Sequence, residues 1–112
     1  MKNYLTEQEN FWAGDFGNNY ISRNKSENLL ASNLNFFSRA LSNIKKIENC
    51  LEFGANVGMN LSALKLLYPQ IDPFAIEINL EATKLLSEII PRKNLFHQSI
   101  LDFEPKRKWE LV

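Results

Sequence analysis

Three short apolar runs, Leu51-Glu52-Phe53, Phe74-Ala75-Ile76-Glu77-Ile78 and Leu95-Phe96-His97, punctuate this chain, and between them apolar residues recur every three or four positions. Leu61, Leu64, Leu67 and Tyr68 form one such stripe, closed by Pro69. Ala82, Leu85, Leu86, Ile89 and Ile90 form another, opened by Asn79 as a cap and closed by Pro91. The short runs suit strands, and steps of three and four turn one helix face inward. Strands separated by helices of this length join as parallel βαβ units with right-handed crossovers, which fixes the fold class as α/β. Trp109-Glu110-Leu111-Val112 reads as the start of a fourth strand.

Upstream, Leu30, Leu34, Phe37, Leu41 and Ile44 mark a further one-faced helix, with Asn24 and Glu27 at capping-box spacing. Residues 1–23 set Phe11, Trp12, Phe16 and Tyr20 around Gly14 and Gly17. The glycines weaken a helix there, so the expectation is an irregular arm that lays its rings on the body. Residues 1–48 are thus arm and helix, and 49–112 the sheet domain.

The chain's 112 residues suffice for one domain. Thirteen basic side chains balance thirteen acidic ones, so no long-range field gathers phosphate backbones or anionic lipids. That excludes a dedicated nucleic-acid or membrane-surface binder and leaves small ligands open. A lone Cys50 and a lone His97 offer no metal-ligand spacing, and no metal is expected. With no apolar leader and no run approaching ~20 apolar residues, a soluble, cytoplasmic protein is the expectation. Cys50 reads as a small buried hydrophobe, His97 as a strand residue on a half-buried face, and Pro105-Lys106-Arg107-Lys108 as a solvated turn.

Most chemical information lies in Glu52-Phe53-Gly54-Ala55-Asn56-Val57-Gly58-Met59-Asn60, between a strand and a helix. Open α/β sheets place ligands at the carboxyl ends of their strands. Gly54 and Gly58 permit a tight turn and close packing, and the following helix start offers free N–H groups. Glu77 lies 19 residues beyond Gly58 at the end of the next strand, where a carboxylate can accept both hydrogens of a ribose diol. Loop and carboxylate together specify an adenosine-containing ligand. A dinucleotide needs a glycine where Asn56 stands, and Glu52 sets a negative charge near the diphosphate. At ~4–6 Å and an effective dielectric near 20 that repulsion costs a few kcal/mol. S-adenosylmethionine has no phosphate, and its ammonium and sulfonium favour the same carboxylate.

Glu-x-Gly-x-Asn-x-Gly-x-Asn over 52–60 resembles the glycine-rich first motif of class I S-adenosylmethionine-dependent methyltransferases, and Ala75-Ile76-Glu77-Ile78-Asn79 their acidic second motif. Gln98-Ser99-Ile100-Leu101-Asp102-Phe103 is similar to the segment lining their adenine, and Trp109–Val112 to the start of their fourth strand. More narrowly, residues 6–17 and 20–24 resemble the opening of methylases associated with pseudaminic acid biosynthesis. The resemblance implies a Rossmann-like three-layer sandwich, here partial, with about four parallel strands of a usual seven and an N-terminal helical arm. It implies that Glu52, Gly54, Ala55, Asn56, Gly58 and Asn60 face the amino-acid end of the cofactor. Glu77 would hold the ribose, and Ile78, Ser99 and Ile100 the adenine. Two readings of the arm stay open beside this: ordinary packing of its rings on the body, or a lid of Trp12, Phe16 and Tyr20 over the cofactor with Arg23 at its carboxylate.

The acceptor implied is a sugar or nonulosonic-acid-type metabolite of bacterial surface glycan synthesis. No catalytic base is assigned; Glu110 stands only at an expected strand end. The rival expectations are an NAD-dependent oxidoreductase domain and a truncated, non-catalytic binding or assembly module. Because the fourth strand stops short, its edge is expected to invite a second copy of the chain, and the fragment to bind cofactor weakly without turnover.

Overall fold

The computed structural model describes residues 4–24 and 27–112, with side chains outside 20–27. Its elements follow the order α1 (Glu7–Ala13), α2 (Asp15–Asn24), α3 (Glu27–Ala40), β1 (Asn49–Phe53), α4 (Met59–Leu67), β2 (Asp72–Glu77), α5 (Leu80–Leu86) and β3 (Leu95–His97). Short 3-10 turns cover Arg92–Asn94 and Ile100–Asp102. The fold is α/β, as the alternation of strand and helix signals dictates.

The sheet is parallel, in the order β1-β2-β3. On the far side of β1 the chain returns as a single parallel bridge, Cys50 with Leu111, and Leu51 N donates to Leu111 O at 2.9 Å. The expected fourth strand is therefore one bridge long. It meets β1 at its amino end, where the Glu110 carboxylate accepts from Glu48 N (3.0 Å) and Glu110 N donates to Asn49 Oδ1 (2.8 Å). Glu110 stands at the end of the sheet opposite the Gly54 loop, because a parallel strand starts where its neighbour starts.

Strand parity sorts the core. Cys50 and Ala75 face the helices, packing with Leu61, Leu64, Ile71, Leu86 and Ile90. Leu51, Phe74 and Ile76 face the other way, against Phe96, Phe103 and Trp109. Both faces of β2 are covered, so it is buried from Pro73 to Glu77. The layer over the second face is an aromatic segment, and Arg107 lies across it, 4.7 Å from the Phe74 ring centroid and 5.5 Å from that of Trp109. The 105–108 run is exposed, as expected, and one of its cations also rests on ring faces. His97 is exposed, its Nε2 3.0 Å from Ile78 O, whereas Cys50 is buried and burial pushes its thiol up to about 11.

The N-terminal segment is the helical arm that the resemblance implies, and not the irregular one that its glycines suggest. It is helical, because Thr6 and Glu9 close a capping box: Glu9 N donates to Thr6 Oγ1 (3.1 Å) and Thr6 N to Glu9 Oε1 (3.0 Å). Gly14 separates α1 from α2. Gly17 is tolerated in α2 because nothing larger fits: a Cβ there would lie 1.8 Å from Trp12 O. Asn24 belongs to α2 and not to the cap of α3; the junction at 25–26 lies outside the described residues. The stripe of α3 turns Phe37 and Leu41 into the core, but Ile44, beyond the helix, is exposed. α5 also ends early, at Leu86, where the Ser87 hydroxyl donates to Lys84 O (2.6 Å), leaving Ile89 exposed beyond it.

Candidate functional site

In-register pairing puts Glu52 beside Ala75. Side chains two apart share a sheet face, so Glu52 and Glu77 both project toward the helices at the carboxyl end of the sheet. There they line one cavity of about 670 Å³. Gly54, Ala55, Asn56, Asn60, Ile78, Ser99 and Ile100 line it too. Gly58 does not. It is the N-cap of α4, with φ 81°, and the place of its missing Cβ is filled by Leu86 Cδ2 at 2.8 Å. Its role is close packing of the loop on α5. Gly54, with φ 68°, has nothing within 4 Å of a notional Cβ and leaves open space at the turn. The side chains of Arg23 and Tyr20 lie outside those described.

Glu77 is buried and fully engaged with backbone. Its Oε1 accepts from Asn56 N at 2.7 Å and its Oε2 from Asn79 N at 2.8 Å. These bonds fix the first loop to the second and hold Asn56 in a left-handed conformation, φ 55°. Each carboxylate oxygen keeps a second lone pair for a ligand. Asn79 Oδ1 in turn accepts from Ala82 N (3.0 Å) and caps α5, as its position in the sequence predicts.

Two acceptors near this carboxylate are buried without a partner among the described residues, Glu52 Oε1 and Asn56 Oδ1. The other oxygen of Glu52, Oε2, accepts from Asn60 Nδ2. Burial raises the Glu52 carboxyl to about 7, the Asn60 bond opposing this and the charge of Glu77 adding to it. A buried polar atom left unpaired costs ~1–3 kcal/mol, so both atoms favour a ligand that brings N–H donors. Among the described lining residues are three carboxylates, Glu9, Glu52 and Glu77, and no Lys, Arg or His. Such a wall attracts cations and repels phosphate.

Ser99 is buried at the far wall, its Oγ accepting from Leu101 N (3.1 Å) at the start of the 3-10 turn. Ile100 is half-exposed beside it. The arm supplies the remaining rim through Thr6, Gln8, Glu9 and Trp12. Trp12 lines the cavity, whereas Phe16 packs on Phe11 with centroids 4.1 Å apart and does not. Asn79 Nδ2 holds the arm in place, donating to Trp12 O (3.0 Å), Ala13 O (3.4 Å) and Asn18 Oδ1 (2.7 Å). Asn33 and Leu29 of α3 also reach the cavity. Neither is visible in the sequence as a site residue, because no motif links α3 to the loops. Among the described residues no group of three or more His, Cys, Asp or Glu side chains is placed to hold a metal ion, and no helix is long and apolar enough to cross a membrane.

Neither a protein-family model nor a curated sequence matches the chain. Its fold matches solved structures. One is the plantazolicin methyltransferase BpumL in complex with a pentazolic desmethylPZN analog and SAH, with TM-score 0.64 and 21% identity over 90% of this chain and 42% of that one. A second is the sugar N-methyltransferase KedS8 from Streptoalloteichus, at 0.61 and 14% over 97% and 41%. A third is SAM-bound CalS10, an amino pentose methyltransferase from Micromonospora echinaspora involved in calicheamicin biosynthesis, at 0.58 and 15% over 97% and 42%. The chain spans about two fifths of the length of these proteins. Its architecture is the Rossmann-like fold of these methyltransferases, represented in part.

Proposed function

We propose that this chain is the cofactor-binding portion of a class I S-adenosylmethionine-dependent methyltransferase. The observation that carries the reading is the bare, buried Glu52 Oε1 in a cavity shared with Glu77 and Asn56 and lined by no described cation. The ammonium of the cofactor's amino-acid end satisfies Glu52 Oε1 and Asn56 Oδ1. Glu77, already fixed by two backbone donors, has lone pairs left for the ribose diol. Ile78, Ser99 and Ile100 flank the adenine, and the space at Gly54 admits the chain of the ligand. Gly58 supports this arrangement from behind, and Asn60 orients Glu52. Arg23 is assigned to the cofactor carboxylate, with the Trp12 side of the arm over the mouth. The cavity volume is that of an ordinary small-molecule site.

The bound cofactor supplies an electrophilic methyl group on a sulfonium. The residues of this chain bind and orient it and keep water from its positive charge. An NAD-dependent oxidoreductase is disfavoured, since a diphosphate would lie against Glu52 and beside the Asn56 side chain. The acceptor we propose is a sugar-derived metabolite of bacterial surface glycan synthesis, in a pathway of the pseudaminic acid kind. The sugar and amino pentose methyltransferases among the similar folds support that class, as does the N-terminal resemblance. The 112 residues by themselves are proposed to bind cofactor without turnover, in the cytoplasm, and to self-associate through the side of β1 left open beyond Leu51. A non-catalytic binding or assembly module predicts the same association, either with cofactor affinity or with neither affinity nor activity.

Calorimetric titration of the chain with S-adenosylhomocysteine and with NAD tests the assignment. Saturable binding of the former, lost in Glu77→Ala, is expected. Tighter binding of NAD, or indifference to Glu77→Ala, overturns it.

A further inference from the structure

Helix α3 lies outside the strand–loop–helix unit that builds the cavity floor, yet one of its side chains acts on the floor. Asn33 Nδ2 donates to Asn60 Oδ1 at 2.9 Å, and Asn60 Nδ2 donates to Glu52 Oε2. All three residues line the cavity. A carboxamide is directional, accepting on oxygen and donating on nitrogen. With Asn33 donating to its oxygen, Asn60 must present its NH2 to Glu52, which serves only an ionised or acceptor oxygen.

We infer that Asn33 is a positioning residue for a cationic ligand group: through Asn60 it keeps Glu52 in the carboxylate form, with Oε1 bare toward the cavity. The inference rests on the cavity being the S-adenosylmethionine site. Its logic is visible in the reversed chain. If residue 33 accepts instead of donating, the Asn60 amide turns over and presents Oδ1. Glu52 then has to carry a proton and donate it, and a neutral acid has no charge to offer an ammonium.

Burial raises the Glu52 carboxyl and the Asn60 bond lowers it, the balance falling at about 7, so weakening or reversing that bond shifts its form at neutral pH toward the neutral acid. The charged group acting on it is Glu77 of β2; Cys50 on its own strand is a neutral buried thiol, and Asn60 of α4 and Asn33 of α3 are uncharged.

The test is calorimetric titration of the full chain with S-adenosylhomocysteine from pH 6 to 9, on wild type, Asn33→Asp and Asn33→Leu. Wild-type affinity is expected to tighten as pH rises through about 7. In Asn33→Asp, which imposes the reversed chain, that limb moves up by about one pH unit or more. Affinity near neutrality then falls roughly tenfold and recovers toward pH 9. Asn33→Leu, which removes the donor without reversing the chain, shifts less in the same direction, and decides the matter if the Asp variant does not fold. In a Glu52→Gln background the shift disappears, because the Gln amide can donate to a turned Asn60. A loss that is equal at every pH, or a shift that persists with Glu52→Gln, overturns the positioning role. A wild type that binds at no pH removes the cofactor reading beneath it.

Discussion

Glu77→Gln isolates the joint on which the site is built. The substitution keeps the shape and replaces one carboxylate oxygen by an NH2 group. Both oxygens of Glu77 accept from backbone N–H groups, Asn56 at 2.7 Å and Asn79 at 2.8 Å. Hydrogen bonds to a charged acceptor contribute ~1.5–3 kcal/mol each. One survives in the variant as a neutral bond of ~1 kcal/mol; the other is lost and leaves a buried N–H facing an NH2. The expected cost is ~3–4 kcal/mol, a large share of the ~5–15 kcal/mol that holds an ordinary domain. With a urea dependence of about 2 kcal/mol per molar, the unfolding midpoint should fall by ~1.5–2 M. Urea unfolding followed by circular dichroism reads this directly. In conditions where both proteins are folded, the affinity for S-adenosylhomocysteine should drop at least tenfold. A midpoint shift equivalent to less than ~1 kcal/mol would refute the claim that this carboxylate ties the two loops together.

Glu52 should give the chain an unusual pH response. Its folded-state carboxyl is raised to about 7 from 4.5, so the folded protein holds this proton more tightly than the unfolded chain. The group's contribution is most favourable below about 4.5 and is lost as pH climbs through about 7, by up to ~3 kcal/mol. Glu52→Gln should flatten that dependence and raise stability at pH 8, as denaturation at pH 5, 7 and 8.5 will reveal; a variant no more stable at pH 8 contradicts it. Asn79→Asp retains the cap of α5 but cannot donate to Trp12 O, Ala13 O or Asn18 Oδ1. Two N–H donors lost at ~1 kcal/mol each should raise hydrogen exchange in residues 7–18 roughly thirtyfold while α5 stays protected. Unchanged protection of the arm would contradict this. Gly58→Ala combines a left-handed backbone with a Cβ 2.8 Å from Leu86 Cδ2, and should lose ~2–4 kcal/mol of stability by thermal unfolding; a neutral result would show that α5 yields.

What the sequence discloses about this molecule follows from how local each feature is. β1, β2 and β3 are legible because each is a short apolar run bounded by a turn, and Asn79 because a cap is a property of four residues. Glu52 and Glu77 are legible as a pair because parallel neighbours in register send equal parities to one face. The start of α1 goes unread, although Thr6 and Glu9 stand at capping-box spacing, because Gly14 and Gly17 argue against helix until Gly17 is seen packed against the Trp12 carbonyl. Ile89 and Ile90 extend the apolar period past Leu86, where the helix ends. The place of Glu110 depends on where the returning chain meets β1, and that of Asn33 on how α3 lies against α4. Neither is encoded in any window of neighbouring residues. Arg107 resembles its lysine neighbours until the aromatic face beneath it is assembled.

Asn79 carries obligations to three parties at once, a helix, a strand-end carboxylate and the arm. A residue so placed has almost no freedom to drift. Serine would cap and release the arm, lysine would reach the arm and abandon the cap. Change at the mouth is therefore expected to proceed by exchanging side chains along the arm while leaving its point of attachment alone.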